Sequence, residues 1–338
     1  MTQKQRIEAF VALGELLSSN HEKIGRMLQQ ASIKNPWYTT ENTKKQLQAL
    51  SSNLTFEKLM QWIAPYPDIQ TDQTVGLILA GNIPLVGFHD ILSVLMAGFN
   101  AQVKCSSDDA GLTTFVFNEL IEIEPAFAEK IQFVDRLQQY DLVIATGSNN
   151  SSRYFDYYFG KKPHIIRKNR NSLAILTGTE SSDQLKALGF DIFDYFGLGC
   201  RSVSKIYIPR GYNFNSFFEA IEDFSAVKEH YKYMNNYDYN KAIYLINGDK
   251  HLDNGFILLK EDARLASPLA TVFYEEYNQT HEIIAQLEAK ANQIQCVVTE
   301  ATIQTSIPTF LLGGSQCPSL TDYADGVNVL EFLFQYSK

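Results

Sequence analysis

Hydrophobic residues recur at the spacing of a helix face along the first part of the chain. This spacing predicts helices over 5–31, and a second helical stretch is predicted near 53–64. The apolar positions of the first stretch are Ile7, Phe10, Val11, Leu13, Leu17, Ile24, Met27 and Leu28. The chain is therefore expected to begin with helices rather than with a sheet.

From residue 75 the pattern changes to short apolar runs that alternate with helical stretches. VGLILAG (75–81) is apolar and ends in Gly, which favours a buried strand, and 84–99 starts with Pro and has helical spacing. Strands that alternate with helices predict a parallel sheet with both faces covered. The further predicted strands are AQVKCS (101–106), KIQFVD (130–135), DLVIATG (141–147), PHIIRK (163–168) and SLAILTG (172–178), with helices over 109–124 and 151–160.

The alternation continues beyond Gly178, where we place a domain boundary. Helices are predicted over 181–197, from 213 to about 243 and near 280–292. The strands are KIYIPR (205–210), GFILLKED (255–262), ATVFYEEY (270–277) and CVVTE (296–300). The sequence thus predicts a second α/β domain, and the tail LTDYADGVNVLEFL is expected to pack back onto the body of the protein.

Charge and hydropathy narrow the class of protein. The 338 residues include 29 Lys and Arg against 38 Asp and Glu, a net charge of −9. This balance argues against nucleic-acid binding through phosphate neutralisation and against a polybasic membrane anchor. No window reaches the roughly 18 apolar residues of a membrane span, and the first residues lack the pattern of a signal peptide. We therefore expect a cytoplasmic protein of about two domains.

The four cysteines, at positions 105, 200, 296 and 317, include no C-x-x-C pair, and the six His include no H-x-x-x-H pair, so no metal site is expected. Cys200 has distinctive surroundings, because two glycines precede it in FGLGCRSVSKIYIP and a strand follows. A substrate can approach a thiol at such a turn closely, and neighbouring backbone N–H groups can hold an oxyanion. The alternative is a buried Cys that packs as a small hydrophobe.

Polar residues follow three of the predicted strands. Asn82 comes after the first strand, Lys104 lies near the end of the second, and Gly147 and Ser148 close a later strand and open a helix. Open α/β sheets hold ligands at this edge, and free N–H groups at a helix start favour anions. The alternatives are a turn or cap Asn and a surface Lys. Neither G-x-G-x-x-G nor a P-loop motif is present, so the standard Rossmann and P-loop interpretations fail.

Taken in order, these segments resemble the aldehyde dehydrogenase superfamily. They resemble more closely the acyl-CoA reductase family typified by the fatty acid reductase component of bacterial luminescence systems. The similar segments are LILAGNIPLVGFHDILSVLMAGFNAQVKCSSDD, ATGS (145–148), GCRSVSKIYIP and GGSQCPSLTDYADGVNVLEFL, which together span roughly 75 to 335. The implied fold is an aldehyde-dehydrogenase-like α/β fold. Its parts would be N-terminal helices with a dinucleotide-binding domain over 1–177, a catalytic domain over 178–305 and a C-terminal segment over 306–338.

The resemblance also implies a role for each residue. Cys200 would be the nucleophile that takes the acyl group from acyl-CoA or another acyl thioester, and Asn82 with the Cys200 backbone N–H would form the oxyanion hole. Lys104 would contact the adenosine ribose or its phosphate. Gly147 and Ser148 would lie beside the dinucleotide pyrophosphate. A homo-oligomer is expected from the family alone.

Three departures from the superfamily shape the expected chemistry. Ser107 stands three residues after Lys104, where many NAD-preferring relatives carry a Glu, which favours NADPH over NADH. The place of the water-activating Glu falls near Arg167, in a stretch without a carboxylate, which suits a reductase better than an aldehyde-oxidising enzyme. A second Glu, which contacts the cofactor ribose in the superfamily, is absent here, and Arg264 lies near its position.

The expected activity is NADPH-dependent reduction of a fatty acyl thioester to the aldehyde through a Cys200 acyl-enzyme. Cysteine is only a few per cent thiolate at neutral pH, so Cys200 requires activation. His164 is a candidate partner, against the alternative of a polar residue at a strand start. Two other classes remain open: an acyltransferase or thioesterase that keeps the acyl-enzyme without hydride transfer, and a non-catalytic relative that serves as a partner subunit.

Overall fold

Four helices precede the first strand of the computed structural model, which describes residues 1–337. They are α1 (Gln3–Ser18), α2 (Glu22–Lys34), α3 (Thr40–Asn53) and α4 (Phe56–Ile63). The predicted stretch 5–31 is two helices, because the His21 side chain accepts the Lys23 N–H and starts α2. Helix α3 was not predicted. It buries only Thr43 and Leu47, which is too little apolar periodicity to be recognised in the sequence.

A parallel five-stranded sheet follows these helices. Its strand order is β3-β2-β1-β4-β5, and every neighbouring pair is parallel. The strands are β1 (Thr74–Ile78), β2 (Asn100–Lys104), β3 (Ile131–Phe133), β4 (Leu142–Thr146) and β5 (His164–Arg167), with helices α5 (Phe88–Met96), α6 (Leu112–Ile123) and α7 (Asn149–Phe159) between them. The chain builds outward from β1 to β3 and then returns to the other side of β1. The crevice between β1 and β4 is therefore a topological switch point.

Helix α5 starts later than predicted. The sequence indicated a helix from residue 84, but 84–87 form a turn, and Leu85 has a left-handed backbone with φ of 54°. Gly87 precedes the helix, and a Cβ at this position would come within 2.6 Å of the Leu79 side chain. The close approach of this turn to the end of β1 decides where the helix begins.

The second sheet has seven strands in the order β12-β11-β6-β7-β10-β9-β8. All neighbouring pairs are parallel except β8 and β9. The strands are β6 (Asn171–Ile175), β7 (Val203–Pro209), β8 (Leu252–Asp253), β9 (Leu258–Glu261), β10 (Thr271–Tyr277), β11 (Ile294–Val298) and β12 (Thr309–Phe310). The helices of this part are α8 (Ser182–Phe193), α9 (Asn215–Ala220), α10 (Tyr231–Asn247) and α11 (Thr280–Glu288).

Two of the predicted helices are interrupted. The long helix from 213 to about 243 is divided into α9, a 3₁₀ segment over Glu222–Glu229 and the start of α10. The helix over 181–197 ends at Phe193, because Tyr195 and Phe196 adopt left-handed backbone angles with φ of 54° and 58°. Both of these aromatic residues are buried, and their packing holds a conformation that costs roughly 1–2 kcal/mol per non-glycine residue.

The chain forms two compact units. Unit 1 contains Met1–Asn169, Ser319–Tyr323 and the stretch from Val327, and unit 2 contains Arg170–Pro318 and Ala324–Gly326. Helix α12 (Val329–Gln335) buries three side chains in the apolar core of unit 1, in the same cluster as residues of α1 and β1. No helix among the described residues is long and apolar enough to cross a membrane.

Candidate active site

Five of the residues singled out in the sequence lie at the carboxyl edge of the parallel sheet in unit 1. Asn82 follows β1, Lys104 ends β2, and Ser107 begins the short 3₁₀ turn after β2. Gly147 and Ser148 follow β4 and precede α7. Asn82 and the Gly147–Ser148 turn thus stand on the two strands that flank the switch point, where doubly wound sheets hold their ligands.

The turn that carries Asn82 is braced by a buried tyrosine. The hydroxyl of Tyr38 lies 2.8 Å from the carbonyl oxygen of Gly81 and 3.1 Å from that of Ile83, so it donates to the backbone on either side of Asn82. Burial raises the pKa of Tyr38, which keeps the hydroxyl protonated as a donor. No motif in the sequence pointed to Tyr38, since its partners lie more than 40 residues along the chain.

The turn after β1 also packs closely against the segment after β2. A Cβ on Gly81 would lie 2.8 Å from the Cβ of Ser106, so only glycine fits there without a shift of the neighbouring backbone. The Ser106 hydroxyl accepts the Asp108 N–H, which opens the turn that carries the exposed Ser107. Close packing of two glycine- and serine-rich turns brings Asn82 and Ser107 to neighbouring strand ends.

The turn after β4 has the features of an anion site. A Cβ on Gly147 would come within 2.8 Å of the Phe155 ring and 3.0 Å of the Ser151 Cβ, so α7 packs directly on the glycine. Ser148 caps α7, and its hydroxyl accepts the Ser151 N–H. The remaining N–H groups of the first turn and the helix dipole favour a negative charge at this point.

Arg167, near the expected place of a water-activating Glu, has a structural role in unit 1. Its guanidinium donates to the Asp90 carboxylate on α5, and both side chains are buried. Its carbonyl accepts the Gly147 N–H at 3.4 Å. One residue thus links α5, which follows the Asn82 turn, to the turn after β4. Asp90 is held by this ion pair, so it is not available as a base for water.

Cys200 lies in unit 2, in a turn that precedes β7. The Ser202 N–H donates to the Gly199 carbonyl at 3.0 Å and closes the turn. The residue is partly exposed, and its Sγ accepts the backbone N–H of Arg170. Burial raises the pKa of the Cys200 thiol, and this N–H and the nearby arginines oppose the rise. The thiol is therefore protonated at neutral pH and requires assistance to react.

The other three cysteines differ from Cys200 in their surroundings. Cys296 is fully buried on β11, with its Sγ 3.1 Å from the Ser172 hydroxyl. Cys105 is half-buried after β2, and burial together with the Asp109 carboxylate raises its pKa to about 11. Cys317 is exposed. Exposure alone does not distinguish Cys200, whereas the two glycines that precede it in its turn do.

Two further residues singled out in the sequence are held by local contacts. Arg264, at the expected place of a ribose-binding carboxylate, donates through Nε and Nη2 to the Asp262 carboxylate two residues earlier, at 2.9 and 2.6 Å. This bond lowers the pKa of Asp262 to about 2. His164 is exposed at the start of β5, with Nδ1 2.8 Å from the Lys162 carbonyl. Within residues 1–337, no group of three His, Cys, Asp or Glu side chains is arranged to hold a metal ion.

Comparison of the structure with solved structures identifies the fold. Aldehyde dehydrogenase 21 from Physcomitrella patens, solved with succinate, is similar with a TM-score of 0.70 and 12% identity, over 99% of this chain and 84% of that chain. An NADP-dependent enzyme of E. coli has a TM-score of 0.67 and 14% identity, over 90% and 74%. An NAD⁺ complex of an aldehyde dehydrogenase from Bacillus cereus has a TM-score of 0.63 and 13% identity, over 88% and 72%. No protein-family model and no curated protein sequence matches the chain.

The chain therefore has the aldehyde-dehydrogenase-like α/β fold, as predicted from the sequence. Among the structural neighbours are aldehyde dehydrogenases, including an NAD-dependent benzaldehyde dehydrogenase from Corynebacterium glutamicum. These structures do not test the more specific resemblance to acyl-CoA reductases, because identities of 12–14% show a shared fold and not a shared substrate.

Proposed function

We propose that this protein is an NADPH-dependent reductase that converts a fatty acyl thioester, such as acyl-CoA, to the aldehyde through an acyl-enzyme on Cys200. The observation that supports this most directly is the setting of Cys200 on an aldehyde-dehydrogenase-like fold. The thiol stands in a glycine-flanked turn, is partly exposed and accepts an N–H at its sulfur. Together these features suit a nucleophile better than a packing residue.

The carboxyl edge of the unit 1 sheet fits a dinucleotide. Gly147 permits close packing of α7 on the turn, and the capped start of this helix offers N–H groups to a pyrophosphate. In the proposal Lys104 contacts the adenosine ribose or its phosphate, and Ser107 leaves room for a 2′-phosphate where a Glu would repel it. When bound, the nicotinamide supplies the hydride that reduces the acyl group.

The remaining chemistry is assigned to side chains of this chain. The Cys200 thiol loses its proton and attacks the thioester carbonyl, a C–S bond to the enzyme forms, and the C–S bond to coenzyme A breaks. The expelled thiolate takes up a proton. The Asn82 amide and the Cys200 N–H are proposed to donate to the carbonyl oxygen as its negative charge develops. After reduction of the enzyme thioester, the C–S bond between the substrate carbon and Cys200 breaks, which releases the aldehyde and returns the Cys200 thiolate.

The surroundings of Arg167 support reduction over hydrolysis. An aldehyde-oxidising enzyme needs a base to activate water against the thioester. In this chain the expected place falls near Arg167, in a stretch without a carboxylate, and the carboxylate that contacts Arg167, Asp90, is bound in a buried ion pair. The lack of a carboxylate in that stretch suits a reductase, whose acyl-enzyme has to persist until it is reduced.

The Arg264–Asp262 pair favours a second candidate function. Near the place where the resemblance puts a carboxylate that contacts the cofactor ribose, this chain has the Arg264 guanidinium, which is bound to its own loop. A protein that had lost hydride transfer but kept Cys200 would be an acyltransferase or a thioesterase. The same experiment separates these activities from the reductase and from a non-catalytic partner subunit.

The test is the intact mass of the protein after mixing with medium- or long-chain acyl-CoA, before and after addition of NADPH. The reductase predicts an acyl adduct that disappears with NADPH as aldehyde forms. Cys200→Ala should abolish the adduct, whereas Cys317→Ala, which removes an exposed thiol, should not. An adduct that is unaffected by NADPH would support acyl transfer instead. No adduct at any chain length would refute Cys200 as the acyl acceptor.

A further inference from the structure

Three neighbouring strands of unit 2 present their amino ends to the Cys200 turn. In the sheet β6 lies between β11 and β7, with Ser172 opposite Val203 and Asn171 opposite Ile294. Cys200 is three residues before the start of β7, and Arg170 comes immediately before β6. The amino edge of the sheet therefore gathers residues from separate parts of the chain around one thiol.

The backbone of the Cys200 turn is anchored to this edge. The buried Ser172 hydroxyl donates to the Cys200 carbonyl at 2.9 Å and lies 3.1 Å from the Cys296 sulfur. The Arg170 N–H, two residues earlier, donates to Sγ of Cys200. The segment 170–172 thus holds both the carbonyl and the sulfur of the same cysteine.

A turn from the C-terminal part of the chain completes the cluster. Asp325 lies in a 3₁₀ turn over Ala324–Gly326 and has a left-handed backbone with φ of 60°. Its N–H donates to the Gln295 side chain on β11 at 3.2 Å, and its Oδ1 lies 3.1 Å from Nε of Arg170. A second nitrogen of Arg170 donates to the Ile294 carbonyl at 3.4 Å. The Arg170 and Asp325 side chains are only 21% and 12% exposed, so the pair is largely shielded from water.

We propose that Arg170 and Asp325 are positioning residues for Cys200. Their ion pair fixes the segment whose N–H meets the Cys200 sulfur, and it holds two opposite charges beside that sulfur. This inference rests on the proposed function, since it concerns how the proposed nucleophile is made ready to react.

The charged groups that face Cys200 come from three elements. Arg201 belongs to the same turn, Arg170 precedes β6, and Asp325 comes from the C-terminal turn. The residues of β11 in this cluster, Gln295 and Cys296, have neutral side chains. The two arginines lower the pKa of the thiol, and Asp325 raises it. Removal of an arginine charge should therefore raise the pKa of Cys200, and removal of the Asp325 charge should lower it.

The experiment is the rate of Cys200 alkylation by iodoacetamide against pH, followed by mass spectrometry of the Cys200 peptide in the full-length protein. Asp325→Asn keeps an oxygen to accept from Arg170 but removes the negative charge. Its pH midpoint should fall by about half a unit or more, which is about a threefold faster reaction below the midpoint. Arg170→Gln should raise the midpoint by a similar amount. The double variant should return towards the wild-type value, because both charges are gone.

A matched control pair exists elsewhere on unit 2. Lys241 and Asp253 also form an ion pair, at 2.6 Å, between α10 and β8. Asp253→Asn and Lys241→Gln should leave the Cys200 midpoint unchanged.

A purely structural role for Arg170 and Asp325 predicts lower melting temperatures without opposite shifts of the Cys200 midpoint. The proposal would be overturned if Asp325→Asn and Arg170→Gln kept the wild-type midpoint, or if both moved it in the same direction. Arg170→Lys, which keeps the charge and should preserve the midpoint, serves as the second variant should Arg170→Gln not fold.

The alkylation readout does not depend on acyl-CoA or NADPH. Opposite shifts without an acyl adduct would support the positioning role and refute the proposed function. An acyl adduct without such shifts would support the proposed function and refute the positioning role of Arg170 and Asp325.

Discussion

The hydroxyl of Tyr38 lies 2.8 Å from the carbonyl oxygen of Gly81, at the start of the turn that carries Asn82. Tyr38 belongs to the segment between α2 and α3, and it is completely buried. The N-terminal helices therefore support the carboxyl edge of the unit 1 sheet directly. They belong to the candidate site although they contribute no side chain to its proposed chemistry.

Tyr38→Phe should destabilise the protein by about 1–2 kcal/mol, because the carbonyl groups of Gly81 and Ile83 lose the hydroxyl donor that they share. We also expect slower acylation of Cys200, since the Asn82 turn loses its support. Urea unfolding and the adduct-forming rate measure the two effects. Tyr157→Phe, at a position 78% exposed on α7, is the control and should change neither. A Tyr38→Phe protein with wild-type stability and rate would contradict the bracing role.

Asp90→Asn should cost about 3–5 kcal/mol of stability, because it removes the carboxylate from a buried guanidinium. The Arg167 and Asp90 side chains are 6% and 8% exposed. Glu8→Gln breaks the exposed Lys4–Glu8 pair on α1 and should cost less than about 1 kcal/mol. Urea unfolding gives the free energy of unfolding of the two variants. Similar losses of stability in both would show that the buried Arg167–Asp90 pair contributes no more than an exposed one.

Gly147→Ala should weaken dinucleotide binding by about tenfold or more, since the new methyl group would collide with Ser151 and the Phe155 ring and displace α7 from the turn. Titration of protein fluorescence with NADPH measures the affinity. Gly25→Ala on α2 is the matched control, because nothing outside the adjacent residues and backbone of its own helix lies within 4 Å of the place that the new Cβ would take. That variant should bind NADPH normally and gain stability from better helix propensity. Unchanged binding by Gly147→Ala would remove this turn from the proposed cofactor site.

Ser107→Glu should shift the preference from NADPH towards NADH by about tenfold or more, because a carboxylate repels a 2′-phosphate and accepts hydrogen bonds from ribose hydroxyls. The ratio of kcat/KM for the two cofactors measures the preference. Ser52→Glu adds the same charge at an exposed position of α3 and should leave the ratio unchanged. A ratio unaffected by Ser107→Glu would place the 2′ position of the cofactor elsewhere.

The cysteines should react with iodoacetamide in an order set by exposure and acidity. At pH 8 the exposed Cys317 should react fastest. Cys105 should be slow, because a pKa of about 11 leaves roughly 0.1% thiolate. Its rate should rise as the pH approaches 11, since a raised pKa moves the thiolate to higher pH. Peptide-resolved mass spectrometry gives each rate, and fast labelling of Cys105 at pH 8 would contradict its assigned environment.

Most strands could be predicted from local sequence, except the two-residue strands β8 and β12, whereas the contacts that brace the site could not. Strand β1 was predicted because a short apolar run ends at glycine, a signal local to 75–81. The position of Asn82 after that strand followed from the same signal. By contrast Tyr38 and Asp325 act through partners 43 and 155 residues away. Such pairs depend on how the elements pack, and no spacing along a single chain encodes them.

The missed features of the fold have a similar origin. Helix α3 carries few apolar residues, so the periodicity that reveals other helices is weak. The end of α8 was predicted too late because Tyr195 and Phe196 continue the apolar pattern while their backbone turns left-handed. Aromatic residues disfavour that conformation, and only the packing of their buried rings imposes it.

Helix α12 gives the protein an unusual order of assembly during synthesis. Val329, Leu330 and Leu333 are completely buried in the core of unit 1, whose other residues are almost all made in the first half of the chain. Domains commonly fold as they emerge, with the N-terminal one first. Here unit 1 cannot complete its core until all of unit 2 has been translated and Leu333 has left the ribosome. Until then the apolar surface of unit 1 that Val329, Leu330 and Leu333 cover is without its native cover.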